Sequence, residues 1–384
     1  MVLGIDASNL TEYGGLNHLL SILSYPEIIK KYGFKKVIIW CDVKIINLIY
    51  KDELYKIVCI KNNNLFKRLL WQRYNLSLQA EKECDIIFAP GGVYISKYKP
   101  YVVMCQNMLV FDNSQLTNEG YTFLRLKTIL LKYFQSFSFK NSDGLIFLSE
   151  YAKDYLYNYY NKIVSKTENT IIPHGTNKAK LNFKLKTHYE HTNKRSLNIL
   201  YVSTVKSYKH HTDLINGFQI LLEKGYNIKL NLVGGGDKIF IRKMKNSMRL
   251  INDKYGEKVF YHGKIDFDKM NIYYEKADIF VYPSSCENLP LIILESMSYG
   301  IPIACSNLRP MTDILGDSAL YFNHNDIDSI AQRIEELVSN IEYRKNTSLE
   351  LYAKSMNYSW ELCVDRTFSY LSKIAKKYYS KEIL

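Results

Sequence analysis

The sequence lacks most of what marks a membrane-spanning or secreted chain. Its 384 residues contain no run near the ~18 apolar residues needed to cross a bilayer, and the stretch Leu289–Leu294 is six long. The start, Met1 to Asp6, has no basic region leading into a long apolar core, so no signal peptide is expected. The seven cysteines, Cys41, Cys59, Cys84, Cys105, Cys286, Cys305 and Cys363, are odd in number, scattered, and form no Cys-x-x-Cys pair. That pattern fits a reducing cytosol and argues against a structural zinc site. Acidic residues are also short: 51 Lys and Arg face 38 Asp and Glu, a formal charge of +13. Such an excess favours an anionic partner, whether nucleic acid, membrane surface or phosphorylated substrate, without choosing among them.

What is present is globular. Hydrophobic residues make up 47% and charged residues 23% of a chain long enough for two domains. Short β-branched runs at 2–6, 36–40, 56–60, 85–89, 101–106, 144–148 and 170–172 read as strands, and 16–23, 65–79, 121–139 and 151–164 read as helices. After the lysine-rich stretch 177–195 the alternation restarts. Strands are expected at 198–203, 228–233, 259–262, 279–282 and 302–306, with helices near 211–223, 238–255, 268–276, 290–299 and 326–339. Strands alternating with helices imply parallel sheets covered on both faces. The expected fold is therefore α/β, with two Rossmann-like doubly wound domains facing each other across a cleft. The boundaries are a first domain over 1–176, a linker over 177–195 and a second domain over 196–359.

In such sheets ligands bind beyond the carboxyl ends of strands, so chemistry belongs just after them. The segment Ile279–Ser306, IFVYPSSCENLPLIILESMSYGIPIACS, reads strand, turn, helix and strand. Proline suits a first helical turn because its missing N–H would be unpaired there. The open amides of Leu291 and Ile292, with the positive end of the helix dipole, make an anion site suited to a diphosphate. Glu295 in the next turn can accept hydrogen bonds from ribose hydroxyls, and Glu287, before the helix, can reach the sugar.

Glu287 and Glu295 with seven residues between them, in this setting, resemble the E-x7-E motif of the family 4 (group 1) retaining glycosyltransferases of GT-B fold. Further landmarks are Gly14-Gly15 after the first strand, Ile172-Pro173-His174-Gly175, Gly234-Gly235-Gly236, Gly263, Asp313–Asp317 and Ser359-Trp360. The resemblance implies transfer of a sugar from a nucleoside diphosphate to a hydroxyl of a saccharide or glycolipid, with retention, in cell-surface polysaccharide or lipopolysaccharide assembly. It implies a hexosyltransferase that needs no metal or other cofactor. It assigns Glu287 and Lys209 to catalysis, and Gly14, Gly15, Gln106, Asn107, Ser203, Thr204, Asn288, Leu289, Leu291, Ile292 and Glu295 to substrate binding. It also returns the chain to the first domain through a helix over 360–384.

Two positions depart from the family. Where relatives carry an arginine against the diphosphate this chain has Thr204, with Lys206 as a substitute, and where many carry histidine and aspartate it has Gln106-Asn107. Neutral amides cannot titrate, which fits a front-face reaction in which the departing phosphate oxygen takes the acceptor's proton. The D-x-D strings at 266–268 and 326–328 lie at expected helix starts, where aspartate caps open amides, so no metal is expected there. Neither His210-His211 nor His188 and His191 has a metal-ligand setting. Basic-aromatic stretches at 30–36, 66–73 and 121–140 suit an anionic membrane, with the helix lysines facing water as the alternative. Peripheral attachment to the inner membrane face from the cytoplasm follows. A phosphorylase or nucleotide-sugar epimerase of the same fold, a nucleic-acid-binding protein and a silent homologue remain as rivals, although no nucleic-acid module is present.

Overall fold

Runs such as Val2–Ala7 and Lys36–Asp42 are buried along almost their whole length, as parallel strands covered on both faces must be. A computed structural model describes residues 1–10, 13–60, 64–112, 123–176, 195–266 and 269–382. The chain divides into two units, residues 1–175 with 360–384, and residues 176–359. Nearly all of the stretch read as a linker lies outside the described residues. So do His188, His191 and positions 267–268 of the first D-x-D string.

The first unit holds strands β1 (Val2–Ala7), β2 (Lys36–Asp42), β3 (Tyr55–Ile60), β4 (Ile86–Ala89), β5 (Tyr101–Cys105), β6 (Gly144–Phe147) and β7 (Glu168–Ile171). They form one parallel sheet in the order β3-β2-β1-β4-β5-β6-β7. Helix Trp360–Glu382 completes this unit: Phe368 meets Phe34 edge-on at 6.0 Å, and the Tyr370 hydroxyl donates to the carbonyl of Glu168 at 2.7 Å. Helix Leu65–Trp71 continues through a π turn, Gln72–Leu76, into helix Ser77–Glu83. The π turn places Gln72 inside, where its amide donates to Asp6 Oδ2 at 2.5 Å and to the carbonyl of Val93 at 3.1 Å.

The second unit holds β8 (Leu197–Val202), β9 (Ile228–Val233), β10 (Val259–Tyr261), β11 (Ile279–Tyr282), β12 (Ile303–Ser306) and β13 (Leu320–Phe322), ordered β10-β9-β8-β11-β12-β13, all parallel. Helix His211–Glu223 buries Leu214, Ile215, Phe218, Leu221 and Leu222, the stripe of an amphipathic helix. On that stripe Gly217 packs against helix Ile327–Ser339, where a Cβ would lie 3.1 Å from Ile330 and 3.2 Å from the carbonyl of Ile327. Among the elements of this unit not expected from the sequence are the short helix Met311–Leu315, β13 and helix Ile341–Ser355. β13 is only three residues long. Helix Ile341–Ser355 is weakly patterned and tied in by buried Arg344, which donates to the Leu337 carbonyl and, at 2.7 Å, to that of Val338. Both carbonyls belong to the C-terminal turn of the preceding helix, which has no partner of its own for them.

Candidate functional site

In each sheet the strand order reverses once, between β1 and β4 and between β8 and β11. Beyond the carboxyl ends of such a pair lies the crevice in which doubly wound sheets take ligands. In the second unit β8 runs into Ser203–His210 and β11 into Pro283–Pro290. The two loops are joined by Ser285 N–H donating to the Tyr208 carbonyl at 2.9 Å and Ser285 Oγ donating to it at 3.3 Å.

Lys209 and Glu287 meet at this junction. Lys209 closes a 3-10 turn, Ser207–Lys209, and His210 leaves it in the left-handed region at φ 50°. The Tyr201 hydroxyl donates to the Lys209 carbonyl at 2.6 Å and fixes the turn. The ammonium is buried: it pairs with Glu287 Oε1, donates to the Tyr282 hydroxyl at 3.1 Å, and lies 5.2 Å and 5.3 Å from the ring centres of Tyr208 and Tyr282. Tyr282 in turn donates to Glu287 Oε1 at 2.7 Å. Neither Tyr201, Tyr208 nor Tyr282 stood out among the 33 tyrosines of the sequence. Their signal was position, at or just after the ends of two strands.

Helix Leu291–Ser298 follows. Pro290 occupies the N-cap with extended dihedrals (φ −76°, ψ 95°) instead of the first helical turn expected for it. Its carbonyl accepts from Ile293 N–H at 2.9 Å, and no side chain caps the helix. The N–H groups of Leu291 and Ile292 have no partner among the described residues. Asn288 is buried, and Leu289 is packed at the core margin. Glu295, one turn on, accepts from the Tyr274 hydroxyl at 2.6 Å. Burial raises its carboxyl to about 7, with the Tyr274 bond pulling the other way.

Ser203 is buried and its Oγ donates to the Thr204 carbonyl at 3.2 Å, so this hydroxyl is engaged in its own turn. Thr204 is half-buried, and Lys206 is exposed with its ammonium 5.9 Å from the Tyr208 ring centre. The glycines after β9 serve close backbone approach. A Cβ on Gly234 would fall 1.9 Å from the Ser203 carbonyl, and one on Gly236 2.3 Å from that of Val205.

In the first unit Gly14 and Gly15 form no loop. They lie in helix Tyr13–Ile22, a correction to the sequence reading, because a strand-to-helix connection places both glycines inside the first helical turn. A Cβ on Gly15 would sit 3.3 Å from Gln106 Oε1, so these two residues are neighbours. The Gln106 amide contacts Met104 Sδ at 3.3 Å, while Asn107 Oδ1 accepts from Leu109 N–H at 3.0 Å in a local turn. Asp6 is a residue the sequence reading passed over. It is the last residue but one of β1, buried beside Gln72, and burial raises its pKa from the ordinary aspartate value.

Asp326 caps its helix by accepting from Ser329 N–H at 3.1 Å. Among the described residues no group of three His, Cys, Asp or Glu side chains is placed to hold a metal ion. A cavity of about 330 Å³ lies elsewhere in the second unit, against helix Met270–Lys276 and lined in part by Leu200, Asn231, His262 and Tyr273.

Residues 186–353 match the family described as glycosyl transferases group 1. Over that segment, somewhat less than half of its length, the chain is similar to the group 1 glycosyl transferases. An O-antigen chain mannosyltransferase B of Escherichia coli is 28% identical over 174 residues, 44% of this chain and 44% of that protein. The chain thus aligns with less than half the length of that relative. An uncharacterized glycosyltransferase of Methanocaldococcus jannaschii is 25% identical over 324 residues, 82% of this chain and 85% of its own. The solved structure of a sucrose-phosphate synthase from Thermosynechococcus elongatus superposes with a TM-score of 0.73 at 15% identity, covering 99% of this chain and 100% of that one. At that identity the likeness shows the fold alone, the GT-B arrangement of two parallel α/β sheets.

Proposed function

We propose that this protein moves a sugar from a nucleoside diphosphate donor to a hydroxyl of a saccharide or glycolipid acceptor, with retention of configuration and without a metal. The observation that carries the reading is the open helix start. The Leu291 and Ile292 amides lack partners among the described residues, Glu287 stands in the loop before them paired with Lys209, and Glu295 follows one turn later. A helix N-terminus stabilises a diphosphate through its amides and dipole. Glu295 then serves the ribose, and Glu287 the sugar.

In the reaction the bond from the anomeric carbon to the diphosphate oxygen breaks and a bond to the acceptor oxygen forms on the same face. The departing phosphate oxygen takes the acceptor's proton. Gln106 and Asn107, which cannot titrate, bind hydroxyls and leave the proton to that oxygen. Gly14, Gly15, Ser203, Thr204, Asn288 and Leu289 contribute shape and backbone groups.

The family relationship and the O-antigen mannosyltransferase relative favour polysaccharide or lipopolysaccharide assembly as the setting. A phosphorylase would bind inorganic phosphate without a nucleotide, so a thermal-shift screen against UDP, GDP, ADP and phosphate decides between them. At 100 times its dissociation constant the right diphosphate stabilises the protein by ~2.7 kcal/mol. No shift with any diphosphate, or an undiminished shift in Glu295→Ala, removes the reading.

Attachment to an anionic membrane is a second part of the proposal. Helix Phe123–Asn141 contains no acidic residue and exposes Leu126, Ile129, Tyr133 and Phe137 along one face, with Lys127 and Lys140 exposed as well. Lys132 is turned inward onto the Tyr160 hydroxyl at 2.6 Å. The Arg125 side chain lies outside the described residues. No described helix is long and apolar enough to cross a membrane, so contact here would be peripheral, and we place it on the cytoplasmic face. Flotation with phosphatidylglycerol liposomes at low and high salt tests it, and binding that ignores salt or fails at low salt ends it.

A further inference from the structure

We propose that Tyr282 is a positioning residue, which holds Glu287 so that a single carboxylate oxygen, Oε2, is presented to the donor sugar; the inference rests on the site assignment above. Three polar groups close a ring. Lys209 Nζ pairs with Glu287 Oε1, Lys209 Nζ lies 3.1 Å from the Tyr282 hydroxyl, and that hydroxyl lies 2.7 Å from the same Oε1. An ammonium can only donate and an ionised carboxylate can only accept, so the directions within the ring are settled by chemistry. The tyrosine hydroxyl must accept from Lys209 and donate to Glu287. A reversed hydroxyl would aim its proton at the ammonium and leave its lone pair against the carboxylate.

The hydroxyl has little freedom to move. Tyr282 is 1% exposed and is the last residue of β11, with its ring edge-on to Tyr201 of the adjacent strand β8 at 5.9 Å and stacked near Phe280 at 6.1 Å. Tyr201 also holds the Lys209 carbonyl. Two neighbouring strands therefore locate both donors to Oε1 before any ligand arrives. Glu287 itself stands in a loop outside helix and strand, where its side chain would otherwise choose among rotamers. With Oε1 taken twice, Oε2 is the oxygen that no described hydrogen bond engages. A carboxylate offering one fixed acceptor discriminates among hydroxyl positions better than one offering two mobile ones, because a misplaced hydroxyl finds no second oxygen. Lys209 also balances the charge of Glu287 beside an anionic diphosphate.

Tyr282→Phe keeps the ring and removes only the hydroxyl. The full chain, as wild type, Y282F, E287Q and the double variant, is titrated calorimetrically with UDP and UDP-glucose and with GDP and GDP-mannose. The ratio of nucleotide-sugar to bare-diphosphate affinity isolates the sugar's share. Hydrogen bonds to charged groups predict a ratio lowered roughly ten-fold in Y282F, with bare diphosphate affinity held within about two-fold. The double variant should match E287Q alone, since Tyr282 acts through Glu287. A wild-type ratio in Y282F beside a lost one in E287Q overturns the positioning role and leaves the site assignment standing. A wild-type ratio in E287Q overturns the assignment itself. Equal losses of both affinities in Y282F would mark a merely structural tyrosine. A ligand-independent arm is the crystal structure of Y282F. Glu287 should leave Lys209 or occupy more than one rotamer, and a single unmoved rotamer refutes the proposal whichever nucleotide binds.

Discussion

Tyr274 gives its hydroxyl proton to Oε2 of Glu295 at 2.6 Å, so the helix before β11 and the helix after it share one covered carboxyl group. That relationship makes Glu295 a hydrogen-bonded acceptor with one oxygen committed to the protein. It also sets the terms on which the group ionises.

Burial lifts Glu295 from 4.5 to about 7. The folded state therefore keeps a proton that the unfolded chain loses, and this group's contribution to stability falls as pH rises from about 4.5 through about 7. Glu295→Gln cannot ionise and still accepts from Tyr274. Melting temperatures at pH 5 and pH 8 should differ less in the variant than in the wild type. An equal difference would mean that Glu295 titrates normally.

The Lys209–Glu287 pair is nearly covered, with side-chain exposures of 9% and 12%. Removing one member leaves the other charged and poorly solvated. Lys209→Met should cost ~3 kcal/mol or more in urea unfolding, and adding Glu287→Gln should recover part of that loss. Additive losses in the double variant would show that the two charges are independent. Neither variant should retain donor-sugar binding.

Gly234 and Gly256 separate contact from conformation. Both have positive φ, 138° and 76°, but a Cβ on Gly234 would overlap the Ser203 carbonyl at 1.9 Å, whereas nothing lies within 4 Å of one on Gly256. Gly256→Ala should cost ~2 kcal/mol, the strain of its backbone alone, since φ 76° with ψ −175° is a conformation held almost only by glycine. Gly234→Ala should cost ~3 kcal/mol or fail to fold, because the loops after β8 and β9 must part. Comparable melting temperatures would contradict this.

His18 stacks on His174 at 4.5 Å, near Trp360, and neither ring nitrogen of His18 has a partner among the described residues. Burial lowers His18 from 6.5 to about 3. Because the unfolded chain takes up the proton first, stability is lost as pH falls from about 6.5 towards 3. His18→Phe should unfold less readily at pH 4.5 and about equally at pH 8, as followed by circular dichroism. Unchanged acid sensitivity would assign the effect to other groups.

Much of the architecture was legible in the residues. Every strand expected from the sequence is present, within two residues of its bounds, and helices His211–Glu223 and Lys238–Tyr255 match at both ends. Apolar runs and amphipathic periods are local, so they survive reading without a third dimension. The elements not expected are those with little local signal. β13 has three residues, and the helix Ile341–Ser355 is held by Arg344 reaching back to the preceding helix. The placement of Gly14-Gly15 in a loop and Pro290 in a helical turn failed for a related reason. Composition marks a boundary but not the side of it on which a residue falls.

The order of strands and helices, the open helix start after Pro290 and the two glutamates on either side of it are all written in residues close together along the chain. Those depend on neighbours along the chain. Tertiary structure alone decided the company of Glu287, which meets Lys209 from 78 residues away, and that of Tyr282, which meets the same lysine across 73. Sheet order brings them together. β8 pairs with β11 at the point where the winding reverses, and nothing in either strand's own residues records which partner it will find.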